Sequence, residues 1–277
     1  MTRRYDAMFA ACREEGRGAF GAFLMIGDPD LGASEAMIEA AIAGGADMLE
    51  LGIPFSDPVA DGPVIQAAAC RALGAGTTPS KCLEVIATIR ARHPDIPIGI
   101  LTYANIAVAR GVGQFAGELA KAGVDSLLLA DIPSLEAAPF AAAIRAAGIA
   151  PVLIAAPNTP DQALAAIARL AGGYTYCVAR KGVTGAKDDM ELDHTRLFER
   201  LAALGAPPPV LGFGIGTAAQ VRASLDAGAA GVISGSAIVA AAAKSGDHAV
   251  AVERVVEDLA SATKSKRAPR QAQACAN

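Results

Sequence analysis

The chain has 277 residues, of which 53% are hydrophobic and 19% charged, with a formal net charge of −4. That balance speaks against a nucleic-acid or anionic-membrane surface, which needs clustered Lys and Arg, and no apolar run reaches the roughly 18 uncharged residues of a membrane helix. A single α/β barrel of about 250 residues fits the length, and a core of that size needs no disulfide or metal staple.

The opening stretch, MTRRYDAMFAACREEGRG, is charged at both ends and lacks the apolar region of a signal peptide. Cys12, Cys70, Cys82, Cys177 and Cys275 are scattered, with no CxxC or Cys/His spacing suited to a metal. Free thiols in a reducing cytoplasm, and no metal site, are therefore expected. His93, His194 and His248 stand apart from any motif and read as surface residues.

Along the chain, short apolar stretches alternate with helical spacing. A strand is predicted over 19–26, followed by a helix ending in glycine over 35–45 (EAMIEAAIAGG). Further strands are expected at 47–53 and 96–101, then a helix at 115–124 closing on Gly123, then strands at 125–130, 151–155, 174–179 and 209–213. Thr217-x-x-Gln220 has the form of a capping box opening a helix over 218–229, and a last strand covers 230–235. Near-continuous apolar runs suit strands buried on both faces, and glycine is favoured just past a helix end. Eight β-α units predict one closed (β/α)8 barrel over residues 1–263, with an extra N-terminal helix and a short extra helix after the eighth strand. Residues 264–277 (KSKRAPRQAQACAN) are expected to form a disordered tail.

One strand carries a carboxylate. In DMLELGI, Glu50 shares a face with Met48 and Gly52, while Leu49 and Leu51 take the other, so Glu50 is expected to point into the barrel. Burial would raise its pKa and suit it to proton transfer, although a structural glutamate paired with an arginine has the same pattern. Asp57 and Asp61 follow in the loop leaving that strand, at the end where barrel enzymes keep their sites; Asp-Pro and Asp-Gly are also ordinary turn formers. Glycines then cluster on the later loops: GVTG at 182–185, GFGIG at 212–216 and SGS at 234–236. Small residues let backbone amides approach an anion, and the last two barrel loops often hold phosphate.

Taken together, LELGIPFSDPVADGPVIQAA (49–68), GDPD (27–30), GVDSLLLADIP (123–133), GYTYCVARKGVTGA (173–186), GFGIGT (212–217) and GVISGSAIV (231–239) resemble the tryptophan synthase alpha chain family, from about residue 5 to 260. The resemblance implies a lyase of tryptophan biosynthesis that cleaves indole-3-glycerol phosphate to indole and glyceraldehyde 3-phosphate. By the same match, Glu50 is the general acid/base and Asp61 stabilises charge at the indole N–H. Phe23, Leu101, Tyr103, Leu128 and Tyr176 are expected around the indole, and Gly185, Gly214, Gly235 and Ser236 around the phosphate. Thr184 matches a lid threonine.

The family's implied partner is a beta chain carrying pyridoxal phosphate, in an α2β2 assembly, with no cofactor in this chain. Asp57, Pro58 and Asn105 match the contact surface. The chain departs from the family's frequent pattern at Ala22 and Met25, expected near the pocket floor, and at Val108, where an aromatic is common. Competing readings are a Schiff-base aldolase using Lys181, a stand-alone lyase, and a catalytically idle phosphate-binding regulatory barrel.

Overall fold

The computed structural model describes residues 3–178 and 194–264, and within them each apolar run expected to be a strand is one. A first helix, α1 (Arg3–Glu14), precedes β1 (Ala19–Met25), α2 (Leu31–Ala43) and β2 (Met48–Gly52). Two helices, α3 (Pro63–Gly74) and α4 (Pro79–Arg92), lead to β3 (Ile98–Thr102); α5 (Ala104–Arg110) and α6 (Val112–Ala122) lead to β4 (Ser126–Leu129). Then come α7 (Ala138–Ala146), β5 (Ala150–Ala155), α8 (Asp161–Leu170), β6 (Thr175–Val178), α9 (Thr195–Ala203) and β7 (Pro209–Gly212). The described chain finishes with α10 (Ala218–Asp226), β8 (Gly231–Ser234), α11 (Ser236–Lys244) and α12 (His248–Ser261).

All neighbouring strands pair in parallel, and β1 pairs with β8 to close an eight-stranded barrel. The third strand starts two residues later than expected because Pro97 has no N–H to give to a ladder; its carbonyl still accepts from Leu49. Local chemistry fixes the helix ends. The Thr217–Gln220 capping box forms at α10, Pro63 occupies the first turn of α3, and Gly123 ends α6 at φ 93°.

The core has two layers, set by strand alternation. Leu49, Leu51, Ile98, Ile100, Leu127 and Val232 pack outward against the helices, while Met48, Leu101, Leu128, Val152, Tyr176 and Ile233 fill the barrel. Helix α1 plugs the N-terminal end with Tyr5, Met8 and Phe9. Ala22 belongs to the outer layer, so the expectation that it shapes the pocket floor is corrected: parity turns its side chain to the helices, and only Met25 of that pair points inward.

A second correction concerns His194, which was expected at the surface but is 1% exposed. It lies just before α9 with Nε2 3.4 Å from the Val178 carbonyl and its ring 5.8 Å from that of Phe198. Tertiary packing under the end of β6, which sequence spacing cannot register, buries it. His93 and His248 are partly exposed, one against Glu39 and the other against the Ala242 carbonyl. Among the described residues, the cysteines are free, no cluster could hold a metal, and no helix is long and apolar enough to cross a membrane.

Candidate active site

The barrel parity argument holds at Glu50. Its side chain faces inward beside Phe23 in the β1–β2 register and is 2% exposed. Oε1 accepts a hydrogen bond from the Tyr174 hydroxyl at 2.8 Å. Oε2 is buried without a hydrogen-bond partner among the described residues. Burial pushes the carboxyl up to about 8; Asp61 nearby adds to the rise and the Tyr174 hydroxyl opposes it. A group with that value holds its proton at neutral pH and can release it within a small pH interval.

The space below Glu50 is shaped by a glycine. Gly99 pairs with Glu50 in the β2–β3 register, and a Cβ there would stand 2.8 Å from the Ser126 hydroxyl, 3.0 Å from that of Tyr5 and 3.6 Å from that of Tyr174. Three hydroxyls thus fill the floor under the carboxylate. Tyr5 and Ser126 bond to each other at 2.8 Å, and the Tyr5 and Tyr174 rings meet at 5.3 Å.

Asp61 sits above, in the loop between β2 and α3, and is 6% exposed. Its backbone N–H bonds the Pro58 carbonyl, and the Gln66 side chain donates to its carbonyl, so the turn itself is pinned. Oδ2 accepts from the Tyr103 hydroxyl at 2.9 Å, and that hydroxyl in turn accepts the Ala60 N–H at 3.2 Å. Burial raises the Asp61 pKa against the lowering effect of the Tyr103 bond. Neither Glu50 nor Asp61 has an ion-pair partner among the described residues, so two buried carboxylates rest on tyrosine hydroxyls alone.

A cavity opens at this mouth. Phe23, Leu101, Tyr176, Phe213 and Ile233 provide apolar walls. Asp61 lies on one side, and Gly214, Gly235 and Ser236 on another. The structure therefore brings together seven of the residues singled out from sequence. Tyr103 stands behind Asp61, stacked on Phe55 at 5.3 Å, and not on the cavity wall. Leu128 is buried beside Leu101 in the register, deeper in the barrel. Glu50, turned to Tyr174, does not line the cavity either. Thr184, Gly185 and Lys181 lie outside the described residues.

Three glycines of the last two rim loops have separate tasks. A Cβ on Gly212 would fall 2.1 Å from the Tyr176 hydroxyl, so this position is bare to admit the tyrosine. Gly214 has φ 92°, in the left-handed region. Gly235 precedes α11 and backs onto Phe23, whose side-chain atoms a Cβ would approach to 3.2 Å. Between Gly212 and Gly214, Phe213 also adopts positive φ, at 59°, strain of the order of 1–3 kcal/mol that clusters at functional sites. Its ring meets Tyr176 edge-on at 5.6 Å.

Residues 9–268 match the family model described as tryptophan synthase alpha chain. The chain belongs to the tryptophan synthase alpha chain family. It is 50% identical over 238 residues to the tryptophan synthase alpha chain of Shewanella baltica, covering 86% of this chain and 87% of that one. The alpha chain of Shewanella oneidensis is 52% identical over 236 residues, 85% of each chain. A solved structure of Mycobacterium tuberculosis tryptophan synthase superposes with TM-score 0.85 at 31% identity, covering 94% of this chain and 98% of that one. The family match spans the barrel from α1 onward and includes both carboxylates.

Sequence reasoning missed Tyr174, Phe213, Ile65 and Ile233. Tyr174 precedes its strand by one residue and carried a usable signal, a second tyrosine two positions before Tyr176 and so on the same inward face. Phe213 was hidden because a non-glycine residue gives no sign of positive φ.

Proposed function

We propose that the chain is the lyase of the alpha reaction in tryptophan biosynthesis, cleaving indole-3-glycerol phosphate to indole and glyceraldehyde 3-phosphate. The observation that carries this reading is the pair of buried carboxylates without cations among the described residues, one inside the barrel and one on its rim, beside an apolar cavity ending at the Gly235–Ser236 start of α11.

The substrate's indole would lie between Phe23, Leu101 and Tyr176, with its phosphate against Gly214, Gly235 and Ser236. The positive end of α11 and free backbone amides favour the anion there. Glu50, released from Tyr174, delivers its proton to C3 of the indole ring. Asp61, as carboxylate, accepts the ring N–H and stabilises the cation. The ionised Glu50 then takes the proton of the glycerol hydroxyl next to the ring. The O–H electron pair becomes the aldehyde C=O, and the C–C bond pair returns to the ring to give neutral indole. Glu50 ends protonated, as it began. Thr184, in the loop after β6, would steady Asp61 on closure, and Gly185 would complete the phosphate cradle.

The chain itself needs no cofactor for these proton transfers. Its partner is a tryptophan synthase beta chain in an α2β2 tetramer, with pyridoxal phosphate on the beta chain. Asp57, Pro58 and Asn105 would face it. Exposed apolar side chains on the same mouth support this: Val59 is 70%, Val108 55% and Leu135 55% exposed, in the segments that follow β2, β3 and β4. They favour a covered face over the stand-alone lyase. Indole release by the isolated chain, repeated with a beta chain, tests the whole reading: slow release that accelerates with the partner is expected, and no release in either case would refute it.

A further inference from the structure

A second and larger cavity exists besides the one at the catalytic mouth. It lies at the opposite end of the barrel, has a volume of about 830 Å³, and is framed by the end of α1, the turns entering β1 and β8, and the ends of α10 and α12. Metabolite and drug-sized ligands occupy cavities of about 300–1,000 Å³. Its floor is apolar, formed by Phe9, Cys12, Leu225, Ala229 and Ala262.

Its rim is cationic. Arg13, Arg17, Arg222 and Lys264 line it, against one acidic lining residue, Asp226. Arg17 is already engaged: its guanidinium grips Asp47 through two bonds of 2.7 and 2.8 Å and also reaches Glu15. Arg13, Arg222 and Lys264 make no ion pair or side-chain hydrogen bond among the described residues.

Charge also argues about the occupant. Beyond Lys264 the sequence adds Lys266, Arg267 and Arg270 and no acidic side chain. By its charge, the chain's own continuation is thus a poor electrostatic match for the groove. We infer that this groove binds a small organic anion, an apolar body of about one aromatic ring carrying a carboxylate or phosphate, with the body on Leu225 and Ala229 and the charge between Arg13 and Arg222. Arginine suits such a group because its planar fork meets two oxygens at once.

The position gives such a ligand leverage on the fold. The turns it would touch, Gly16–Gly18 and Ala229–Ala230, feed β1 and β8, the pair whose hydrogen bonds close the barrel. Packing there is tight: a Cβ on Gly18 would fall 2.3 Å from Leu225. A ligand that binds only the folded chain raises its unfolding temperature by mass action.

Methyl NMR on the full chain tests this with phenyl phosphate as the probe, Leu225 reporting the groove and Ile233 the catalytic mouth. Phenyl phosphate should shift both methyls in separate saturable titrations. In the Arg13→Gln/Arg222→Gln variant the Leu225 titration should weaken at least tenfold while Ile233 keeps its resonance position, which certifies the fold. Benzyl alcohol, of similar body and no charge, should leave Leu225 nearly unmoved. Three results would overturn the inference: an unresponsive Leu225 in the wild-type chain, an equal Leu225 response in the variant, or an equal response to the alcohol. Inorganic phosphate separates the two parts of the ligand. Binding as tight as phenyl phosphate would show that the apolar floor contributes nothing and would refute the proposed ligand class.

Discussion

Two pairs of carboxylates, one at each end of the barrel, are held in opposite ways. At the N-terminal end, Asp125 takes Arg4 and Arg90 at 2.7 Å each, and Asp47 takes Arg17 through both its oxygens. Asp125 also accepts the Ile98 N–H, and Asp47 the Phe20 N–H, so each ties the base of a strand in place. At the C-terminal mouth Glu50 and Asp61 are at least as buried, yet among the described residues each has only a tyrosine hydroxyl on its side chain. Matched charge at Asp47 and Asp125 ties strand bases in place; at Glu50 and Asp61, with no cation beside them among the described residues, burial raises both carboxyl pKa values.

Substitutions at the two ends should therefore fail differently. Glu50→Gln keeps shape and removes the exchangeable proton, and should lower kcat for indole release by about 10²–10⁴-fold with the circular dichroism spectrum unchanged. Asp61→Asn should cost about 10²–10³-fold in kcat, as expected for losing one preorganised electrostatic contact, measured in the same assay. Tyr174→Phe should reduce kcat by about fivefold, one hydrogen bond's worth, and carries a clearer signature in pH. The Tyr174 hydroxyl favours the ionised form of Glu50, so its loss should move the alkaline limb of the rate profile to higher pH. A mere packing defect would leave that limb where it was.

At the other end, Asp125→Asn should leave kcat nearly unaltered and lower stability by about 3 kcal/mol in a denaturant titration, because it strands Arg90 beside a neutral group. A further effect concerns pH and stability. Glu50 has a folded value of about 8, above its ordinary 4.5, so the folded chain binds the proton more tightly than the unfolded one. Its contribution to stability is fully present below about pH 4.5 and is lost as pH rises through about 8. Glu50→Gln should flatten the stability profile across that window, and an unchanged slope would mean that Glu50 is not the titrating group.

The contrast also marks how far sequence carries. Period-two parity put Glu50 inside and Leu49 and Leu51 outside, and the eight apolar runs gave the barrel, because a residue's face in a strand is fixed by counting alone. Counting cannot say what lies opposite. That Tyr174 and Tyr103 face the carboxylates is a matter of long-range packing: Tyr174 is 124 positions from Glu50, and Tyr103 is 42 from Asp61. For the same reason Tyr103, expected against the ligand, stands behind Asp61 as its support. The glycines were legible as close-approach positions, but only coordinates separate Gly212, which admits Tyr176, from Gly235 at the head of a helix.

Infrared difference spectroscopy of the wild-type chain against Glu50→Gln, followed through a pH titration, addresses the central claim without requiring turnover. A protonated carboxyl band assigned to Glu50 that persists at neutral pH and disappears near pH 8 is the predicted result. Disappearance of that band in the range of an exposed glutamate would contradict it.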